Sequence, residues 1–229
     1  MNVNAKDFYQ HSTLLRCVAA ITLSIATAAV WAGSISGTAV DKDGAKMADV
    51  VIYATPAGST AMPAAGASET VTIAQDQLQF TPYVTAVRTG TAIKFPNYDK
   101  IEHHVKSFSS AKEFEIKVYE KGTPPPVVFD KPGVVIVYCM LHGWMRAYIM
   151  VLDTPYFAKT ETSGAVTLDK LKEGTYEIKA WHPDMGTVKP ALVQTVKVGA
   201  SGIQPVAFNF DFVAKKRKPA QPVAGEKHH

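Results

Sequence analysis

Short alternating or wholly apolar runs, each broken within a few residues by Gly, Pro, Asn or Asp, make up most of the chain from residue 33 onward. No stretch there keeps apolar residues at helical i, i+3, i+4 spacing over ten or more positions, so the pattern predicts an all-β protein. Strands are expected over residues 34–40, 49–54, 70–73, 79–87, 91–95, 114–119, 127–129, 134–138 and 146–152. Shorter runs follow over 160–168, 171–182 and 206–212. The cleanest alternation is Phe114-Glu115-Ile116-Lys117-Val118-Tyr119. Asp41-Lys42-Asp43-Gly44 and Lys131-Pro132-Gly133 read as turns. Residues 56–70, rich in Ala and Ser around Pro56, Gly58, Pro63 and Gly66, read as a flexible linker.

Residues 1–32 have a different texture. Lys6 and Arg16 precede the apolar stretch 17–26, and Val30-Trp31-Ala32 ends it before Gly33. A basic start, an apolar middle and a small residue at the cleavage point predict an export signal removed after Ala32, with the mature chain in the periplasm. The alternative is an uncleaved transmembrane anchor; the apolar run falls short of the roughly 20 residues that span a bilayer, which favours cleavage and leaves no membrane span expected in the mature chain. The formal charge of +4, less the net +1 of Lys6, Arg16 and Asp7, leaves +3. That is too mild to predict a nucleic-acid partner. Lys215-Lys216-Arg217-Lys218 falls in residues 214–229, which read as a disordered basic tail ending in His228 and His229.

Export changes the meaning of the cysteines. Of Cys17 and Cys139, only Cys139 survives cleavage, and an unpaired cysteine in an exported protein is reactive, intermolecular or metal-bound. A bare thiol would oxidise there, whereas a metal holds the sulfur as thiolate. Cys139, His142 and Met145 are spaced three apart on the loop after the expected strand 134–138. A second imidazole is available upstream, in Glu102-His103-His104-Val105. Thiolate and thioether favour Cu(I) and imidazole suits both oxidation states. Two His and one Cys in a plane, with a weak axial Met, form the ligand set of blue-copper electron-transfer centres. Zinc competes for Cys and His but gains little from Met. The expected cofactor is therefore copper, one ion per chain.

The stretch from about Phe80 to Leu152 resembles the cupredoxins, of the amicyanin and plastocyanin type. Cys139-x-x-His142-x-x-Met145 fits the short form of that family's ligand loop, and His103-His104-Val105 matches its upstream His-Asn-Val segment. The resemblance implies a Greek-key β-sandwich with His103, Cys139 and His142 in the ligand plane and Met145 axial. His104 stands where the family has Asn, which leaves His104 as the alternative to His103. Gly143-Trp144 replaces a Pro-containing loop interior. His142 would be the electron port, with Trp144 as an apolar collar for a partner or as core packing, and His182 is a candidate supporting group for the ligands or a strand-end residue.

A second resemblance covers the flanks. Gly37-Thr38-Ala39-Val40-Asp41-x-x-Gly44 and Ala48-Asp49-Val50-Val51-Ile52 look like the opening of a carboxypeptidase-regulatory-like, transthyretin-type sandwich. Thr162-x-Gly164-x-Val166 and Leu171-x-x-Gly174-x-Tyr176-x-Ile178 look like its later strands. The implied organisation is a discontinuous sandwich of residues 33–60 and 154–213, with a cupredoxin unit of residues 61–153 inserted into it. Tandem domains are the alternative.

Multi-electron copper chemistry uses further sites with His-x-His pairs, and the sequence has none; Gly-x-Ser-x-Gly and phosphate loops are also absent. The expected role is non-enzymatic, carrying single electrons between periplasmic redox proteins. A copper chaperone or store using the same ligands, and a metal-free structural sandwich, are the other two readings.

Overall fold

The computed structural model describes residues 33–58 and 70–215, together with Arg217. The export signal of residues 1–32, most of the 56–70 linker and most of the basic tail lie outside the described residues. Two strands open the described chain, β1 (Gly33–Val40) and β2 (Val51–Pro56). Next come β3 (Thr70–Thr72), β4 (Ala74–Asp76), β5 (Gln79–Thr81), β6 (Val84–Arg88) and β7 (Thr91–Lys94). They are followed by β8 (His103–Ser109), β9 (Lys112–Tyr119), β10 (Val127–Phe129), β11 (Gly133–Tyr138) and β12 (Arg146–Leu152). The chain then forms β13 (Phe157–Lys159), β14 (Ala165–Leu171), β15 (Gly174–Trp181), β16 (Leu192–Val198) and β17 (Ile203–Asn209). A single 3-10 turn, Pro183–Met185, is the only helical element among the described residues. The fold is all-β, as the patterning requires.

Strand partners sort into two groups. β1 pairs antiparallel with β14 and parallel with β17, while β2 lies between β13 and β15, with β16 beyond. β3 to β12 pair only with one another, in sheets ordered β6-β12-β11-β8-β9, β10-β7-β3 and β4-β5. The first and last parts of the described chain thus share two sheets, and the middle makes three of its own.

β12 joins the two groups. Successive strand residues face opposite sides of a sheet. Accordingly Ala147, Ile149 and Val151 enter one apolar core with Phe80, Phe95, Phe129 and Val137. Tyr148, Met150 and Leu152 enter the other, with Ile52, Ile178, Trp181 and Phe208. An unbroken apolar run on a strand of this length marks burial on both faces. Ile149 is fully buried, and such a side chain contributes about 2 kcal/mol by leaving water.

Several expected elements shift. The 79–87 strand divides into β5 and β6, which lie in different sheets. Pro82 falls between them and has no N–H to continue a ladder. Residues 160–168 begin as a turn, because the Gly164 N–H bonds back to the Glu161 carbonyl. Gly164 has φ of +66°, and a Cβ there would lie 2.7 Å from the Ala39 oxygen, so only glycine fits. β17 ends at Asn209, and Phe210 and Phe212 leave the alternation to pack on His182. β4, β8, β13 and β16 were not anticipated. The disordered-tail reading is corrected at its start. The Lys215 N–H donates to Asp184 Oδ2 at 2.7 Å. Arg217 donates to the Phe80 carbonyl at 2.8 Å and lies over the Tyr83 ring, because a guanidinium can satisfy a carbonyl and an aromatic face together.

Candidate metal centre

The loop of residues 139–145 joins the antiparallel neighbours β11 and β12, whose last pair is Tyr138 with Arg146. Two backbone bonds close it tightly: the Cys139 N–H to the Met145 carbonyl at 3.1 Å, and the Met145 N–H to the His142 carbonyl at 2.8 Å. Cys139 and Met145 are buried in the same apolar core, where the next strands hold them from both sides.

His103 arrives from the first position of β8, the strand on the other side of β11. The β8–β9 ladder shifts register between His103 and Val105. The extra residue lies on β9, where Tyr119 to Ile116 is three steps against two from His103 to Val105, so β8 itself stays regular. Ordinary strand alternation sends the two adjacent histidines to opposite faces. His103 turns inward, its Nδ1 lying 3.7 Å from Cys139 Sγ. His104 turns to Glu115, with Nε2 2.9 Å from Oε1 and its Nδ1 buried without a partner. His142 completes the group, its Nδ1 lying 3.4 Å from the same sulfur. Ligand atoms of His103, Cys139 and His142 all lie within 4.8 Å of one another, and all three residues are buried.

The electrostatics follow from that packing. Burial pushes the Cys139 thiol up, but hydrogen bonds from the His103 ring and the backbone N–H groups of His104, Leu141 and His142 outweigh it and bring the thiol below its ordinary range. Burial lowers His103, yet its bonds to Cys139 and Asp99 reverse this and leave it raised. His142 is lowered, first by burial and then by the charge of His103. The surroundings thus ease loss of the Cys139 proton, and a deprotonated sulfur is the form that binds metal. A sulfur and two imidazole nitrogens converging in an apolar pocket fit a soft or borderline transition-metal ion, copper or zinc, better than a hard, oxygen-seeking one.

Asp99 was not anticipated. Its Oδ2 lies 2.7 Å from His103 Nε2, the nitrogen facing away from Cys139. The only mark in the sequence is the spacing of four from Asp99 to His103, which has meaning in a helix but none in a turn before a strand. Trp144 is half-buried, its ring tilted on His142 at 5.4 Å between centroids, and its Nε1 donates to the Leu78 carbonyl. Tyr148 is structural, packed edge-on to Tyr83 and against Trp181. His182 lies among other elements: its Nδ1 accepts the Asp184 N–H at 3.2 Å, and its ring packs on Phe210 and Phe212. It is a strand-end residue that caps the 3-10 turn.

Among solved structures, the chain is similar to a purple cupredoxin from Nitrosopumilus maritimus, at 21% identity over 36% of this chain and 99% of that one, with a TM-score of 0.33. It is also similar to a Cu(I) methionine-to-alanine mutant of amicyanin, at 15% identity over 44% of this chain and 99% of that one, with a TM-score of 0.34. A copper-containing nitrite reductase from Thermus scotoductus matches at 21% identity over 43% of this chain and 25% of its own, with a TM-score of 0.34. No protein-family model matches the chain, and no curated protein does. Among the described residues, no helix is long and apolar enough to cross a membrane.

Proposed function

We propose that this chain is an exported, non-enzymatic carrier of single electrons, in which His103, Cys139 and His142 would hold one copper ion and Met145 would add a weaker thioether ligand. The observation that carries the proposal is the convergence of two imidazole nitrogens on one buried thiol within 4.8 Å. Copper would supply a one-electron couple between Cu(II) and Cu(I), which the same soft and borderline donors tolerate in both states.

The chain's own residues supply the rest. The closed loop 139–145 and the regular strand β8 fix the donors before a metal arrives, which limits rearrangement when the charge changes. The apolar core around Cys139 excludes water from the sulfur and protects it from oxidation. Of the two ligand rings, His103 is 0% exposed and His142 8%, so His142 is the edge through which an electron from a redox partner would enter. Trp144 beside it, and the half-exposed Met140 and Leu141, make the surrounding surface apolar. We place this unit at residues 61–153, inserted in a carboxypeptidase-regulatory-like sandwich of residues 33–60 and 154–213. The closed pairing of β3 to β12 supports that division. The expected compartment is the periplasm.

Titration with Cu(II), followed by visible absorption beside Cys139→Ser, tests the proposal. One equivalent of copper should produce a strong colour that the variant lacks. A colourless protein that binds Cu(I) would be a copper store or chaperone, and failure to bind either ion would overturn the metal reading.

A further inference from the structure

The contacts behind His103 form a built support. Asp99 Oδ1 accepts the Gln77 N–H at 2.8 Å, and Oδ2 accepts the Leu78 N–H at 3.0 Å. Gln77 and Leu78 both adopt left-handed backbone, with φ of 52° and 57°, and this turn between β4 and β5 aims their adjacent N–H groups at one carboxylate. The Asp99 N–H donates to Asn97 Oδ1 at 2.9 Å. Asn97 in turn is fixed by Nδ2 bonds to the carbonyls of Ile101 at 2.8 Å, Tyr119 at 3.3 Å, and Glu120. The Asp99 side chain is 13% exposed. It is more firmly fixed than a surface ion pair, and its second oxygen points at the far nitrogen of a ligand ring.

We propose that Asp99 is a positioning residue for the metal centre: it holds the proton of the neutral His103 ring on Nε2, leaves the Nδ1 lone pair facing Cys139, and through its negative charge favours the more highly charged state of the metal. The inference rests on the copper reading above for its second half only. A carboxylate only accepts, while the Cys139 thiol at the longer contact can donate to Nδ1, so the neutral ring donates from Nε2. A carboxylate on a ligand's outer nitrogen fixes the ring and makes it more basic. Greater basicity binds Cu(II) more strongly than Cu(I) and lowers the reduction potential. The same turn reaches the second histidine, because the Leu78 carbonyl accepts the indole N–H of Trp144, and that ring lies on His142. Both ligand rings are therefore braced by one pair of residues.

Two measurements test this. In the metal-free wild type, nitrogen NMR of the neutral His103 ring should find the proton on Nε2. A proton on Nδ1 would overturn the proposal, whatever the protein does with copper and whether or not a variant folds. In the copper-loaded protein, Asp99→Asn should weaken Cu(II) about tenfold more than Cu(I), raising the midpoint potential by about 59 mV for a one-electron couple. A variant that is less stable but has an unchanged potential would make Asp99 merely structural and overturn the second half. A wild type that takes up no copper would overturn the carrier reading, and the tautomer measurement would still decide the first half.

Discussion

A histidine kept neutral by burial leaves a signature in the pH dependence of stability, and His182 is such a residue. Burial lowers its pKa from the ordinary 6.5, opposed by the charges of Asp184 and Asp49. Above 6.5 the ring is neutral folded and unfolded, and its contribution is complete. Below that value the unfolded chain takes up a proton that the folded one refuses, so stability is lost as pH falls toward the depressed folded value. In the metal-free protein, His182→Gln should flatten the decline in urea midpoint as pH falls below 6.5. His142, also lowered, acts in the same sense and remains in both proteins. His103 is raised, so its contribution is full below 6.5 and fades as pH rises. An unaltered slope in the variant would mean that His182 titrates alike folded and unfolded. At this scale the sequence was partly legible. Cys139, His142 and Met145 sit on one short loop, so their spacing nearly guarantees proximity. That His103 rather than His104 faces Cys139 depends on how β8 lies beside β11, and the contact of Asp99 with His103 depends on a turn; neither has a periodic signature.

Strands with strict patterning were legible, and those carrying polar residues inward were not. β9 reads Lys-Glu-Phe-Glu-Ile-Lys-Val-Tyr, an edge strand whose charges face solvent, and its alternation is plain. β8 reads His-His-Val-Lys-Ser-Phe-Ser, with His103 and Ser107 fully buried and Phe108 exposed, the reverse of the usual code. Its inward polar residues serve the centre and its neighbouring turn, which is why the pattern fails there. β12 has the opposite property, apolar on both faces. Met150→Ala and Ile149→Ala truncate it toward different cores, and each should cost about 2–5 kcal/mol. Since one strand serves both cores, each substitution should move one shared unfolding transition, seen alike by far-UV circular dichroism and tryptophan fluorescence. Separate transitions, only one of them displaced, would show that the cores unfold independently.

For the whole molecule the shared wall predicts coupling between metal and flank. If copper binds the folded chain as proposed, free metal at one hundred times the dissociation constant should stabilise it by about 2.7 kcal/mol. If opening is global, amide hydrogen exchange in β15 and β16, on a sheet that carries none of the proposed ligands, should slow by the same free energy as exchange in β11. Slowing confined to β8, β11 and β12 would contradict a single cooperative unit. The all-β class was legible because it depends only on the absence of helical period. The sharing of β12 was visible only as an unusually long apolar run, since a sequence shows that both faces are buried but not what covers each.

The position of β1 has a consequence for the order of assembly. It is the first strand of the described chain, yet its neighbours begin at Ala165 and Ile203. A ribosome has made most of the protein before β1 can find either of them, whereas every partner of β11 and β12 has emerged by Leu152. Closing so long a loop adds little entropy, only about 0.6 kcal/mol per doubling of length, but non-local pairing is slow. The hairpin bearing Cys139 and His142 is thus ready early, with Tyr148, Met150 and Leu152 uncovered on its back until the last strands arrive. The newly made chain can bring His103, Cys139 and His142 together before it has its last strands to shield their outer wall.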